Sequence, residues 1–229
     1  MRINSTEYWN HRFQTDWESN SGREQTAFFM ELLFSSLAPE FYNFWNKPCY
    51  SMLDIGCAIG DSIPVIRRYM PEVNLSGYDI STVAIEECKR KYGNLASFYD
   101  DLPVDNRFDI AVLSNVAEHF KDPWAFLINM QKYVEDYMVV LVPFEEEDPI
   151  EEHEYVFSFE NTKRFVGDFY LVYMDISDCQ YKGSLWQGKQ ILLCYKRLGK
   201  SSYFPWEKVK EEITDTEAQF LNSIKLFKG

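Results

Sequence analysis

The middle of the chain alternates short apolar runs with longer segments of mixed polarity. The apolar runs predict five strands, at residues 51–55, 73–79, 96–99, 108–113 and 137–142. The mixed segments between them predict helices at 62–69, 83–92 and 123–134. We expect the fifth strand to stop at Pro143. This alternation is typical of an open parallel sheet with helices on both faces.

The two flanks of this region have different patterns. Residues 1–45 are rich in aromatic side chains, and apolar spacing over 27–37 predicts a helix ending near Pro39. After an acidic loop at 145–148, the pattern predicts a helix at 160–169 and two strands at 170–176 and 190–195, with turn residues at 182–184 and 187–188 that indicate a hairpin. The division we predict is a helical cap (1–45), a core (46–200) and a helical tail (201–229).

Charge and cysteine content narrow the class of protein. The net charge of −13 repels phosphate backbones, so a nucleic-acid substrate is not expected. Five cysteines without a C-x-x-C pair do not suggest a disulfide framework or a zinc site. The start of the chain has no apolar signal core, and the longest apolar stretch, Met138–Phe144, is far shorter than a membrane span. We therefore expect a reduced, soluble, cytoplasmic protein with no membrane partner.

The sharpest local signal is a glycine turn at residues 53–61, Leu-Asp-Ile-Gly-Cys-Ala-Ile-Gly-Asp. It follows the first predicted strand and opens the next helix, and glycines there allow the backbone to turn tightly and approach a ligand. Nineteen residues after Gly60, Asp79 ends the second strand, where a carboxylate can accept hydrogen bonds from ribose hydroxyls. The alternative is a structural turn with a helix-capping aspartate.

These motifs resemble those of the class I S-adenosylmethionine-dependent methyltransferases over residues 52–143, with a looser match to residue 195. The segment 108–120 closely resembles the fourth-strand motif of that family. The resemblance implies S-adenosylmethionine as cofactor and S-adenosylhomocysteine as product. The fold class it implies is α/β, with a Rossmann-like, seven-stranded, mostly parallel sheet, helices on both faces and an antiparallel C-terminal hairpin.

The resemblance also implies which residues contact the cofactor. Asp79 matches the ribose-binding acid and Ile80 the residue that packs on adenine. Ala58 replaces the middle glycine of the turn, and an alanine is acceptable there if it keeps φ below zero. In similar methyltransferases an N-terminal helical segment covers the cofactor; the alternative here is a packed helix with exposed polar residues. The implied contacts are Arg23 or Gln25 for the methionyl carboxylate, Asp100 or Asp101 near the adenine amine, and Asp54, Gly56, Ala58, Gly60, Asp79, Ile80, Leu102 and Asn115.

Methyl transfer requires a nucleophile aligned behind the methyl group, and an alcohol or amine nucleophile gains from a base. Of the three histidines, His119 follows the fourth strand and His153 follows the fifth, so these two are the candidate catalytic residues. The alternative for His119 is a histidine that only hydrogen-bonds the backbone. A divalent metal near the acidic loop is conceivable, but charge runs are usually solvated loops, and we expect no metal.

The function we expect is methylation of a small molecule. The start of the chain resembles bacterial methyltransferases that modify sugars or other metabolites. The narrower expectation is therefore O-methylation of a sugar or sugar nucleotide in polysaccharide biosynthesis. Aromatic side chains at Tyr155, Phe157 and Trp186 are candidate substrate contacts. The alternatives are a nicotinamide-dependent oxidoreductase and a non-catalytic, methyltransferase-like partner subunit.

Overall fold

The structure, a computed structural model, describes residues 1–181 and 186–199. Its strands and helices, numbered in chain order, are β1 (Ser51–Ile55), β2 (Asn74–Tyr78), β3 (Ser97–Tyr99), β4 (Phe108–Ser114), β5 (Val134–Phe144), β6 (Phe165–Val166), β7 (Phe169–Asp178) and β8 (Lys189–Arg197), with α1 (Thr6–Thr15), α2 (Gly22–Ser36), α3 (Pro39–Trp45), α4 (Ile63–Tyr69), α5 (Thr82–Tyr92) and α6 (Pro123–Met130). The expected turn at 182–184 and tail at 201–229 lie outside the described residues.

The eight strands form one sheet in the order β3-β2-β1-β4-β5-β8-β7-β6. The first five strands are parallel, and β8, β7 and β6 continue the sheet in antiparallel pairs. From β1 the chain runs outward to β2 and β3 on one side and to β4 and β5 on the other. Ligands bind at such a reversal of strand order, at the carboxyl ends of the strands.

Apolar side chains on the two sides of the sheet form two separate cores. Met52 of β1 packs in the core shared with α2, α3, α4 and α5, whereas its neighbour Leu53 packs in the core shared with α6. Successive side chains of a strand point to opposite faces, so a strand buried on both sides must be apolar throughout. The predicted helix-on-both-faces architecture is confirmed.

Two sequence expectations about the second half are wrong. Residues 160–164 form turns rather than a helix, and Phe165–Val166 instead form the edge strand β6, which raises the strand number from seven to eight. Gly167, at φ 54°, makes the tight turn into β7. The side-chain amide of Gln131 donates to the Val166 carbonyl and accepts from the Asp168 amide, and so fixes that turn.

The helix predicted at 123–134 ends at Met130, and β5 begins at Val134 and continues through Pro143. The position of the proline explains why the strand does not stop there. The Asn115 amide donates to the Leu141 carbonyl, so the backbone polar groups of residue 141 face β4. Because this orientation repeats every second residue of a strand, those of residue 143 face the same side, at a point beyond the end of β4. No partner strand needs the missing amide hydrogen at that point. In the described part of the chain, no helix has both the length and the apolar character to cross a membrane.

Candidate functional site

The glycine turn between β1 and α4 is held against the end of β2. The amides of Gly56 and Cys57 donate to the Tyr78 carbonyl at 2.7 and 3.0 Å. Gly56 has φ 76°, and a Cβ atom there would lie 2.4 Å from Cγ2 of Val116. Only glycine fits this position, because both the backbone conformation and the space exclude a side chain.

Ala58 adopts φ 49°, so the negative φ that would make an alanine acceptable at this position is not what the structure has. Its amide donates to Asp79 Oδ2 at 3.0 Å, and its carbonyl accepts from the Cys88 thiol. The left-handed conformation of an alanine costs on the order of 1 kcal/mol. These bonds offset that cost and tie the turn to β2 and α5.

Asp79 lies buried at the end of β2, beside the turn. Its two carboxylate oxygens accept from the amides of Ala58 and Ser81 at 3.0 and 2.9 Å. Burial raises the pKa of Asp79 to about 6, and these two amides oppose that rise. A carboxylate oxygen accepts more than one hydrogen bond. The side chain can therefore still accept from the hydroxyls of a ligand.

A cavity of about 520 Å³ opens between the carboxyl ends of the strands and α1. Its volume lies in the range of about 300–1,000 Å³ that is usual for small-molecule sites. One wall is aromatic and belongs to α1 and the loop that follows, and the other wall carries the glycine turn and Asp79. The lining includes Trp9, Phe13, Trp17, Gly56, Ala58, Tyr78, Asp79, Ile80, Asn115, Val116, His119 and Phe126. We call this the large cavity.

A second cavity of about 150 Å³ adjoins the first, and both share the glycine turn, Asn115 and His119 in their walls. We call it the small cavity. Asp54, at the end of β1, lines it and accepts from the Ser62 hydroxyl, and burial raises the pKa of Asp54 to about 7. Ser114 Oγ and Asn115 Nδ2 are buried in this wall, and neither has a hydrogen-bond partner within residues 1–181 and 186–199. A buried polar group without a hydrogen bond costs free energy, so a ligand that pairs with these two groups would gain affinity.

The two candidate histidines meet at the small cavity, with ring centroids 5.4 Å apart. Nδ1 of His119 donates to the Glu152 carbonyl at 2.9 Å, and Nδ1 of His153 donates to the Glu146 carboxylate at 2.8 Å. A carbonyl or carboxylate oxygen can only accept, so in each neutral ring the hydrogen lies on Nδ1 and the lone pair on Nε2. Burial lowers the pKa of His119 to about 4, which makes the ring neutral at pH 7 and a weak base.

Glu118 is a site residue that the sequence motifs did not indicate. Its side chain is fully buried and lines the small cavity beside both histidines, and neither carboxylate oxygen has a hydrogen-bond partner among the described residues. Its carbonyl accepts from the amides of Glu154 and Tyr155, which fixes the loop after β5 against this point. Burial raises the pKa of Glu118 well above its usual range. The only sequence signal was a glutamate in an otherwise apolar stretch after β4.

Helix α1 bridges the two sides of the site. On one side, Asn10 Oδ1 accepts from the Ser81 hydroxyl at 2.6 Å. On the other, the Tyr8 hydroxyl donates to Glu152 Oε1 at 2.6 Å, and Arg12 forms an ion pair with the same carboxylate at 3.1 Å. The helix therefore forms a roof over both cavities, and its expected role as a cover for the cofactor stays a prediction.

Several predicted contacts lie away from the described cavities. The Arg23 guanidinium is engaged by Glu18 at 2.7 Å and Asp61 at 3.3 Å, whereas Gln25 lines the small cavity. Gly60 packs against α5, where a Cβ atom would lie 2.8 Å from the Tyr92 ring. Neither cavity is lined by these predicted contacts: Arg23, Gly60, Asp100, Asp101 and Leu102.

The three aromatic candidates for substrate contact separate in the structure. Phe157 is fully buried in the core beside Trp124, so the expectation that it touches substrate is wrong. The Tyr155 hydroxyl accepts from the Trp124 indole at 3.1 Å. Only Trp186 of the three lines the small cavity.

The fold and the central domain define the class of protein. Residues 53–136 match the family model described as a methyltransferase domain. The match and the strand order confirm the resemblance to the class I S-adenosylmethionine-dependent methyltransferases, enzymes whose cofactor is S-adenosylmethionine. The matched segment contains the glycine turn, Asp79 and the fourth-strand motif.

Solved structures of the same fold are distant in sequence. The plantazolicin methyltransferase BpumL in complex with SAH is 15% identical with a TM-score of 0.54, over 84% of this chain and 95% of that one. A chain from the complex of the Haloferax volcanii Trm112 methyltransferase activator with a protein assigned as a methyltransferase is 12% identical with a TM-score of 0.62, over 86% and 99%. A structure described for the conversion of a disulfide bond into a thioacetal group during echinomycin biosynthesis is 16% identical with a TM-score of 0.53, over 71% and 80%. At these identities the likeness establishes the fold alone.

Proposed function

We propose that this protein transfers the methyl group of S-adenosylmethionine to a small molecule. The observation that carries the proposal is the large cavity, with the buried carboxylate of Asp79 on one wall and Ile80 beside it. In this arrangement Asp79 accepts from the ribose hydroxyls and Ile80 packs on adenine. The methionyl part then crosses the turn at Gly56 and Ala58 toward the small cavity, which shares those residues.

The small cavity suits the charge of the methyl donor. Asp54 lines it, and an ionised carboxylate there favours a cationic sulfonium over its neutral product. Methyl transfer needs the nucleophile in line behind the methyl carbon, and positioning alone supplies much of the rate. The roof formed by α1 holds the donor in place for this alignment.

The size and charge of the site favour a small acceptor. A cavity of about 150 Å³ under a helix accommodates a sugar ring or another metabolite rather than a folded polymer, and the net charge of −13 repels nucleic acid. Among the similar folds, BpumL is a plantazolicin methyltransferase and another is described for echinomycin biosynthesis. The narrower proposal is O-methylation of a sugar or sugar nucleotide. Its support is the mixture of Trp186, Gln25 and carboxylates around the small cavity, a combination that suits hydroxyl-rich rings.

Calorimetric titration with S-adenosylhomocysteine tests the cofactor site. We expect Asp79→Asn to weaken binding by roughly 10- to 100-fold, because it removes charged hydrogen bonds worth about 1.5–3 kcal/mol. Asp105→Asn is the matched control, since Asp105 is an exposed aspartate that lines neither cavity. Equal affinities of the two variants would contradict the assigned role of Asp79. Binding of NADH in place of S-adenosylhomocysteine would favour the oxidoreductase alternative.

Transfer of a labelled methyl group tests the substrate class. We expect the purified chain alone to label hydroxylated small molecules, with sugar nucleotides as the first set to try. Label that enters only amines, proteins or RNA would contradict the narrower proposal. Transfer that requires a second protein would support the partner-subunit alternative, and the Haloferax volcanii complex with the Trm112 activator shows that such an arrangement occurs in this fold.

A further inference from the structure

Three potential metal ligands meet in the small cavity. Glu118, His119 and His153 each offer one ligand atom, and these atoms all lie within 4.8 Å of one another. Ligand atoms of a tetrahedral cation with bonds of about 2.1 Å are separated by roughly 3.4 Å, so side-chain rotations that bring these three atoms closer together would complete a site. The glutamate is fully buried, neither of its oxygens has a partner in the part of the chain that the structure describes, and it lines the cavity that both imidazoles line.

The histidines are already held as metal ligands usually are. A ligating imidazole typically donates its other ring hydrogen to a carboxylate or a backbone carbonyl, which fixes its tautomer and orientation. His153 donates to the Glu146 carboxylate and His119 to the Glu152 carbonyl. In both rings Nε2 therefore keeps the lone pair that a cation needs.

We propose that Glu118, His119 and His153 bind a divalent transition-metal ion, such as Zn²⁺, with at least one coordination position open to the small cavity. Two imidazoles and one carboxylate suit transition metals better than Mg²⁺ or Ca²⁺, which prefer oxygen ligands throughout. Three protein ligands and an open position are the pattern of catalytic rather than structural zinc sites. The site is distinct from the acidic loop at 145–148, of which only Glu146 takes part, through His153.

The role of the ion rests on the proposed methyl transfer. An acceptor hydroxyl that binds at the open position becomes more acidic and loses its proton to solvent water. The acceptor oxygen then forms a bond to the methyl carbon while the carbon–sulfur bond breaks. The bonding pair returns to sulfur, which becomes a neutral thioether, and the metal keeps its charge throughout.

Titration of untagged, chelator-treated protein with Co²⁺ tests the site, because Co²⁺ bound to nitrogen and oxygen ligands absorbs visible light. We expect one equivalent to bind and to shift the proton resonances of two of the three histidines, His119 and His153. Glu118→Gln should weaken binding by roughly 100-fold or more, since even changes in outer-shell partners cost about 10- to 100-fold. Glu146→Gln, which leaves all three ligands in place, should weaken binding by about tenfold. His11→Asn, at an exposed histidine, should change nothing.

Measurements of S-adenosylhomocysteine binding separate this inference from the proposed function. Chelator-treated protein and Glu118→Gln should still bind S-adenosylhomocysteine with unchanged stoichiometry, which also shows that they are folded. Failure to bind the product would count against the proposed function. Normal product binding without a Co²⁺ signal, or a signal that persists in both Glu118→Gln and His153→Asn, would overturn the metal site.

Discussion

Replacement of Gly56 by alanine tests whether the glycine turn is as tight as the structure indicates. Two costs add at this position. The φ of 76° places a side chain in the left-handed region, at about 1–2 kcal/mol, and the new Cβ atom would lie 2.4 Å from Val116 Cγ2. Overpacking of that kind costs about 1–3 kcal/mol, so we expect Gly56→Ala to lower the free energy of unfolding by about 2–5 kcal/mol.

Gly199 is a matched control for the backbone term. Its φ of 77° is almost identical, but a Cβ atom at this position would have no atom of the described residues within 4 Å, so we expect Gly199→Ala to carry only the strain of about 1–2 kcal/mol. Val116→Ala in the Gly56→Ala background removes the clash and should restore part of the loss. Urea unfolding gives the free energies of the four proteins. If Gly56→Ala were no more destabilising than Gly199→Ala, the close approach to Val116 would be refuted.

Three further predictions concern the cofactor carboxylate, the roof and the sheet. With a pKa of about 6, Asp79 is increasingly protonated below pH 6, so affinity for S-adenosylhomocysteine should rise from pH 5 to 7 and then level off, with proton release on binding near pH 6; flat calorimetric profiles would contradict this. The stability of the ligand-free protein should change in the other direction. Because folding raises the pKa of Asp79 to about 6, the folded protein holds this proton more tightly than the unfolded chain, and the resulting contribution to the free energy of unfolding is lost as pH rises through 6. Tyr8→Phe removes the bond to Glu152, so stopped-flow tryptophan fluorescence should show product release several-fold faster, and an unchanged rate would argue against a roof. Lys196→Met leaves the buried Asp136 carboxylate without its partner at 3.0 Å and should cost about 3 kcal/mol or more in urea unfolding, whereas a loss below about 1 kcal/mol would contradict that burial.

The parallel half of the fold was predictable because its strands are fully buried and its turns carry glycine. Residues 51–55 form β1 as predicted, the predicted bounds of β3 and β4 differ by one residue at one end, and those of β2 by one residue at each end. The errors lie where a contact distant in sequence decides the structure. The segment at 160–169 has helical spacing, but Gln131 fixes the turn at Gly167 and creates β6. Strand β5 continues through Pro143 because β4 has already ended at that point, so the missing amide hydrogen is not needed, and the local sequence does not encode this.

The site was predictable in part for the same reason. Asp79 and Asn115 follow strands that lie beside β1, and the parallel order brings them to one edge of the sheet. The left-handed Ala58 was not predictable, because the bonds from Asp79 and Cys88 that hold it come from other elements. Glu118 was missed because its partnership with His153 depends on the loop after β5 folding back onto the chain that follows β4.

A crystal structure with S-adenosylhomocysteine would test the central claim most directly. We expect the ribose hydroxyls to donate to the Asp79 carboxylate and the adenine to lie beside Ile80 under α1. We expect the sulfur to lie at the junction of the two cavities, facing His119. A product molecule bound elsewhere, or bound here with its sulfur turned away from the small cavity, would contradict it.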